Sequence, residues 1–310
     1  MAGQRFYRKK AILFKIETTY GTDPVPAGAT DALLMTDVTF TPLAGTDVSR
    51  DLLLPWLGNQ GIITTGLYAT LQGSIEIAGA GTPGDVPGYG SLLRACGLSE
   101  TIVADTSVTY LPVSSGFESG SLYFVNDGVK HVLLGARGTV TGNVVPKQIG
   151  KFQFTMTGLL GTITDAAMPT VDVTKFMTPV AVSKANTTMS LHGWSSVAES
   201  LSFDLGNTVT PRFLIGDEVV IISDRSVTGT AVVEARSLAT VDWFAKAISR
   251  ARGPLALQHG VTDGNIVEIN QPAVEIGRPT EGQTDGIINY SLSLSSVPVL
   301  GNDELEIVVR

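Results

Sequence analysis

The sequence predicts a mainly β chain built from two tandem copies of one unit, each with a single short α-helix. Three observations carry this. Apolar and polar residues alternate in runs along the whole chain; only two segments have helical spacing; and a glycine inside a long strand and a glycine closing the next helix both recur at one fixed separation.

In order along the chain, residues 1–10 hold Arg5, Arg8, Lys9 and Lys10 with no apolar core or small-residue cleavage site behind them. They read as a mobile basic arm, and a secretory signal is not expected. Over 67–77, Leu67, Ala69, Leu71, Gly73, Ile75 and Ile77 alternate with Tyr68, Thr70, Gln72, Ser74 and Glu76. That is the period of a strand with one buried and one wet face. Tyr89, Leu92, Leu93 and Cys96 then share a helix face, with Gly97 as left-handed terminator. Strand alternation resumes where Phe152, Phe154 and Met156 are set against Lys151, Gln153 and Thr155. Between 161 and 184, Asp, Pro and Thr interrupt the pattern as a linker would, dividing the chain into 1–170 and 171–310.

In the second unit Gly229 lies in the strand TGTAVVE at 228–234, and Val241, Phe244, Ala245 and Ile248 form the helical stripe. Thr240 is the expected N-cap, Asp242 lies in the first turn, Arg250 and Arg252 in the last, and Gly253 ends the helix. Ile288, Tyr290, Leu292 and Leu294 against Asn289, Ser291 and Ser293 make the closing strand. Gly73 and Gly229 are 156 residues apart, as are Gly97 and Gly253. Upstream, 38–40 matches 201–203 at a spacing of 163; downstream, 151–154 matches 287–290 at 136. An insertion over 99–119, absent after Gly253, accounts for most of the shortening.

Composition narrows the function. One cysteine, Cys96, gives no disulfide framework and no Cys-based metal cluster, as suits a reducing compartment. On its apolar helix face it is expected to be buried. Charged residues are only 16% of the chain and mean hydropathy is +0.23, yet no apolar run reaches membrane-spanning length. So apolar a surface predicts burial against neighbouring subunits. A net charge of −8 argues against gripping nucleic acid through its phosphates.

Catalytic signatures are missing. GAGTPG at 79–84 fits a phosphate-binding glycine run, but Pro83, Pro87 and Gly88 postpone the helix whose N-terminal amides such a site needs. It reads as a loop. His131, His192 and His259 are too dispersed for a metal site, and no nucleophile elbow is present. Asp217 with Glu218 and Asp303 with Glu304 read as solvated charges, and the sequon at Asn186 has meaning only in a secreted eukaryotic chain. Trp56, Trp194 and Trp243 are scattered, which disfavours a carbohydrate-binding or adhesin surface. No catalytic residue, cofactor or metal is expected.

Three stretches carry a resemblance: KIETTYGTDP at 15–24; PGYGSLLRACG at 87–97 with YLP at 110–112; and LGARGTV at 134–140 followed by KFQFTMTGL at 151–159. Their order and spacing resemble the major tail-tube proteins of non-contractile long-tailed phages, the Mu-like siphophage type. The resemblance implies tandem tail-tube-like β-sandwich or barrel domains, rings whose inner strands form a continuous barrel, and rings stacked into the conduit for DNA ejection. If one chain carries two tube domains, a homotrimer would complete a pseudo-hexamer; the commoner single-domain pattern leaves a ring of six chains open. The implied partners are the chain itself, the tape measure protein and viral DNA in the lumen, and tail terminator and distal tail proteins at the ends, with no membrane. The location is the virion, after synthesis in the bacterial host cytoplasm. The lumen-lining candidates are Tyr68, Thr70, Gln72, Ser74 and Glu76, with Thr228, Thr230 and Glu234 in the second copy. Ring-to-ring contacts are assigned to Arg5, Arg8, Lys9 and Lys10 of the arm and to the insertion, with Tyr110. The competing structural readings are a tail terminator, which stops at one ring, and a secretion-type tube protein.

Overall fold

A computed structural model describes residues 4–310, and it is mainly β. Its strands are β1 (Lys10–Ile16), β2 (Ala32–Leu33), β3 (Thr36–Ser49), β4 (Ile62–Glu76), β5 (Leu98–Val103), β6 (Ser107–Pro112), β7 (Gly120–Asn126), β8 (Val129–Val144) and β9 (Lys151–Asp165). After a stretch without strand come β10 (Thr187–Leu191), β11 (Trp194–Ser195), β12 (Ala198–Asp204), β13 (Asn207–Leu214), β14 (Asp217–Arg225) and β15 (Thr228–Glu234). The chain ends in β16 (Arg252–His259), β17 (Val267–Ile276), β18 (Thr280–Thr284), β19 (Ile287–Ser296) and β20 (Glu306–Val309). The helices are α1 (Gly90–Ala95) and α2 (Trp243–Ser249).

The period-two runs become strands because one face of each meets a core. In β4, Ala69, Leu71 and Ile75 are buried while Gln72 is exposed. Phe152, Phe154 and Met156 are buried likewise in β9. α1 forms where its apolar residues fall on the core: Leu92, Leu93 and Ala95 are wholly enclosed, and Gly97 at φ +78° turns the chain out. α2 departs from expectation at both ends. Asp242, not Thr240, is the N-cap, its carboxylate accepting from the Ala245 amide at 2.8 Å. The helix closes at Arg250, which takes the left-handed conformation, and Gly253 lies in β16. Phe244 and Ile248 of the predicted buried stripe are exposed.

Strand pairing has a simple order. β3 pairs with β4, β4 with β9 and β9 with β8; β8 pairs with β12, β12 with β15, β15 with β19 and β19 with β18. All are antiparallel. Behind this sheet β1 pairs with β7 and β7 with β8, while β10 pairs with β16 and β16 with β17. The same path is thus traced twice, with the chain passing through α1 after β4 and through α2 after β15.

The registers align the two passages. Gly73 faces Phe154 as Gly229 faces Leu294, and Gln72 faces Thr39 as Thr228 faces Asp204. Matched this way, β3 and β12 stand 165 residues apart and β9 and β19 stand 140 apart, not 163 and 136. Both differences are even, so every side chain stays on its assigned face. The insertion forms the hairpin β5–β6, and the last strand β20 pairs with both β6 and β17. One core cluster runs through both passages, from Phe14 and Leu71 to Leu292 and Val309.

Candidate functional site: one polar face of a continuous sheet

The pairing brings the candidate residues of β4 and β15 onto one face. Along one row of directly opposed residues the side chains are Thr36, Ser74, Gln153, Thr141, Asp204, Thr228 and Ser295, from β3 across to β19. The row beside it reads Glu76, Lys151, Asn143, Ser202, Thr230 and Ser293. On its other side stand Thr39, Gln72, Thr155 and Thr139. No apolar residue interrupts these three rows. Val232 is an exception further along β15, where it opposes Ser200 and Ser291.

Of the first-copy candidates, Gln72 is exposed and donates to Gln153 Oε1 at 3.3 Å and Thr155 Oγ1 at 3.4 Å. Thr70 and Glu76 are half-buried, and Ser74 is buried beneath its neighbours. Tyr68 is half-buried beside Phe213 of β13, ring centroids 6.4 Å apart. In the second copy Thr228 is exposed, Thr230 accepts on its carbonyl from Ser202 Oγ at 3.5 Å, and Glu234 pairs with Arg236 at 3.0 Å. The charges of the three rows are Glu76, Asp204 and Lys151, and Lys151 also binds Asp37 at 2.8 Å. That lysine holds the Asp37 carboxyl below its ordinary range. Where β8 meets β12 the face sinks into a depression of about 600 Å³, lined among others by Thr141, Asn143, Gln153, Ser202 and Asp204.

Thr36, Thr39, Thr139, Thr141, Asn143, Lys151, Gln153, Thr155, Ser202, Asp204, Ser293 and Ser295 complete the face but were not among the expected lining residues. The signal for them was the polar content of the alternating positions on β3, β8, β9, β12 and β19. The junction that joins the rows is tight. Phe203 packs edge-on to Phe152 at 6.2 Å and lies over Gly142, where a Cβ would stand 2.1 Å from the ring.

The ring-to-ring candidates are dispersed. Arg5 donates from Nε to the carbonyls of Asn126 and Asp127 at 3.2 and 3.1 Å, and Lys9 pairs with Asp127 at 3.7 Å. Lys10 opens β1 with its ammonium 3.5 Å from the Tyr7 ring centroid, and Arg8 is exposed. The arm is therefore laid along the β7–β8 turn from Arg5 onward; its residues 1–3 lie outside the described ones. Tyr110 is wholly buried, its hydroxyl donating to Glu100 at 2.8 Å, and belongs to this chain's own interior.

Other candidate chemistry resolves as packing. The glycine run at 79–84 is tied down, Gly79 N–H donating to Asn265 Oδ1 at 2.7 Å and Gly81 N–H to the Gly264 carbonyl at 2.8 Å. His259 is buried, with Nδ1 at 2.8 Å from Thr187 Oγ1 and Nε2 at 3.2 Å from the Val180 carbonyl. Burial lowers its pKa and those of His131 and His192. Cys96 is enclosed and its thiol is pushed far up by burial. Trp194 and Trp243 meet edge-on at 5.7 Å, while Trp56 is exposed on the β3–β4 loop. Among the described residues no group of three or more His, Cys, Asp or Glu could hold a metal ion, and no helix is long and apolar enough to cross a membrane.

The sheet thus presents extended polar rows on one face, and β3 and β18 stand at the two ends of its strand order. A family model for phage tail tube proteins matches residues 8–296, and the chain belongs to that family. No curated protein matches it. Membership makes the chain a component of the phage virion that self-assembles into the tail tube.

Proposed function

We propose that three copies of this chain close into a pseudo-six-fold ring, and that rings stack into the hollow tail tube through which DNA is ejected. The chain is read as two fused tube domains, 1–170 and 171–310. The observation that carries this is the eight-strand order itself: β3, β4, β9, β8 is followed by β12, β15, β19, β18 in the same sense. The β8–β12 pairing inside the chain is the pattern for pairing the edge where β17 leads into β18 in one copy with β3 of the next. Closure removes both edges, which otherwise invite indiscriminate pairing.

The polar rows then face the lumen, where Gln72, Thr228, Thr230 and their neighbours present hydrated hydroxyls and amides with few cations. A polyanion slides past such a wall and would be held by a basic one. The role is structural rather than catalytic, with the tape measure protein and DNA inside and tail terminator and distal tail proteins at the ends. The arm residues Arg5, Arg8, Lys9 and Lys10 lie at the same end of the sheet as the exposed β3–β4 loop, where a second ring would stack.

Electron microscopy of purified protein at rising concentration tests the reading. Three copies of eight strands, spaced about 4.8 Å and tilted about 35–45°, give a barrel roughly 45–50 Å between opposite backbones. Six copies would give roughly twice that. Hollow tubes with three-fold class averages and the narrower barrel are expected; a persistent monomer refutes the proposal, single rings point to a terminator, and a six-fold barrel of double width refutes the trimer.

A further inference from the structure

An apolar groove of about 890 Å³ lies open beside α2, between Phe244, Ile248 and the edge made by Ile276, Gly277 and Arg278. Ile248 at its rim is 84% exposed. The corresponding place in the first passage is filled. There, residues 203–207 run along β8: Leu205 N–H donates to the Val140 carbonyl at 3.0 Å, and Asn207 Nδ2 reaches the carbonyls of Cys96 at 2.6 Å and Gly138 at 2.9 Å. Leu205 is completely buried by this contact.

The register says what belongs in the empty groove. Val140 opposes Phe154 as Ile276 opposes Leu294, so β8 and the end of β17 correspond at a spacing of 136. Thr39 corresponds to Asp204, and the same spacing of 165 holds two residues on. There Thr41 opposes Thr70, as the Gly206 carbonyl accepts from the Ser226 amide. Residues 38–42 are therefore the equivalents of 203–207. We infer that the groove beside α2 is the seat for Val38, Thr39, Phe40, Thr41 and Pro42 of a second copy, with Phe40 lying where Leu205 lies in the first passage.

Side-chain sizes agree with this seating. Gly142 leaves room for Phe203; at the matching position Arg278 needs no such gap, because the incoming residue is the smaller Val38. Val38 and Phe40 are only half-buried in one chain, the Phe40 ring stacking on Phe124 with centroids 4.4 Å apart, and Thr39 and Gly277 are exposed, so the outer edge of the segment and its seat remain open to pairing. Pro42 has no side-chain amide to repeat the bonds of Asn207, which leaves strand pairing and the Phe40 ring to carry the contact.

The inference rests on the ring proposal, and disulfide trapping separates the two. Asp204 opposes Thr141 next to the hydrogen-bonded Leu205–Val140 pair, so the matching Thr39 and Gly277 of neighbouring copies stand at a non-hydrogen-bonded site, where Cβ atoms approach within disulfide reach. Cys96 is buried and takes no part. Full-length protein carrying Thr39→Cys and Gly277→Cys, oxidised under assembling conditions, should pass mostly into covalent dimer and closed trimer on a non-reducing gel, and neither single variant should. Tubes visible by electron microscopy without cross-linking above the single variants would overturn the seating and leave the ring intact; absence of any assembly in the unaltered protein overturns both. Ile248→Asp, at a position free in the monomer, should leave thermal stability unchanged and raise the concentration needed for assembly at least tenfold. Unchanged assembly would count against the groove.

Discussion

The β8–β12 junction can be tested within a single chain through Gly142. A Cβ at this position would stand 2.1, 2.7 and 2.8 Å from three ring atoms of Phe203, against the roughly 3.5–4.0 Å of an ordinary carbon contact. The ring must therefore retreat by more than an ångström. It has nowhere to go, because Phe203 is 3% exposed and braced by the fully buried Phe152. Gly142 does not have positive φ, so Gly142→Ala adds no backbone penalty and isolates the clash. Overpacking of this kind costs about 1–3 kcal/mol. At about 2 °C per kcal/mol for a chain of this size, the thermal midpoint should fall by roughly 2–6 °C. The assay is thermal unfolding of dilute, unassembled protein. Phe203→Leu shortens the obstructing side chain, so the double variant should be less damaged than the sum of the singles, with a coupling of about 0.5–3 kcal/mol. A midpoint unmoved by Gly142→Ala, or strictly additive variants, would refute the junction as the point where the two passages lock.

Three further outcomes are expected. Arg225 and Glu304 form an ion pair at 2.6 Å with little exposure, so Arg225→Met strands a buried carboxylate and should destabilise by about 3–5 kcal/mol, with Glu304→Gln added to it restoring part of the loss in denaturant unfolding. The pKa of His259 is lowered in the fold, so the stability it contributes is present above the unfolded value near 6.5 and is lost as pH falls through the folded value. The thermal midpoint should therefore drop between about pH 7 and pH 5, and His259→Asn should flatten that slope; an unaltered slope would show that other groups set it. On the polar rows, Gln72→Lys with Thr230→Lys should leave tubes intact but make duplex DNA co-sediment with them at low salt and come off as salt rises. Variant tubes that retain no more DNA than unaltered ones would argue that this face does not meet DNA.

What the sequence shows of this molecule follows from what a period of two encodes. Alternation identifies a face, so Gln72 and Thr228 could be set apart from Leu71 and Ala231 without knowing any partner strand. It cannot fix register, because a slip of two or four residues leaves the alternation unchanged. This is why the spacings of 163 and 136 give way to 165 and 140 with no side chain changing face. The rows of the site depend on register and on strands far apart in the chain, so Thr141, Asp204 and Ser295 emerge only from the pairing. Tyr110 illustrates the same limit. Its hairpin looks like a protruding insertion until the chain's last strand is seen to cover it. At α2, Asp242 outcompetes Thr240 because it stands directly before the helix, and Arg250 ends the helix three residues before a glycine could.

The two passages differ most in how their long hairpins are covered, and the difference argues for a neighbour. In the second, the outer hairpin β13–β14 pairs only with itself and rests on the first passage. Phe213 meets Gly66, Ile222 meets Gly97, and Val220 is held through its carbonyl by Arg137 at 2.7 Å and through its amide by Tyr20 at 2.6 Å. The matching hairpin, β3 with the first part of β4, is met by Phe213 at Gly66 but leaves much of its apolar surface bare. Leu53, Trp56 and Leu57 stand exposed at its tip, with Leu43, Val48, Ile62 and Ile63 exposed along its length. Pro42 and three register shifts blunt β3 as a pairing edge, but they do not remove the apolar surface. Seating residues 38–42 in the groove beside α2 carries this hairpin onto the next copy, just as β12 carries β13–β14 onto β8 and β9. The contact made once within the chain is then repeated between chains, and the surface left bare in the monomer lies where that repetition would place it.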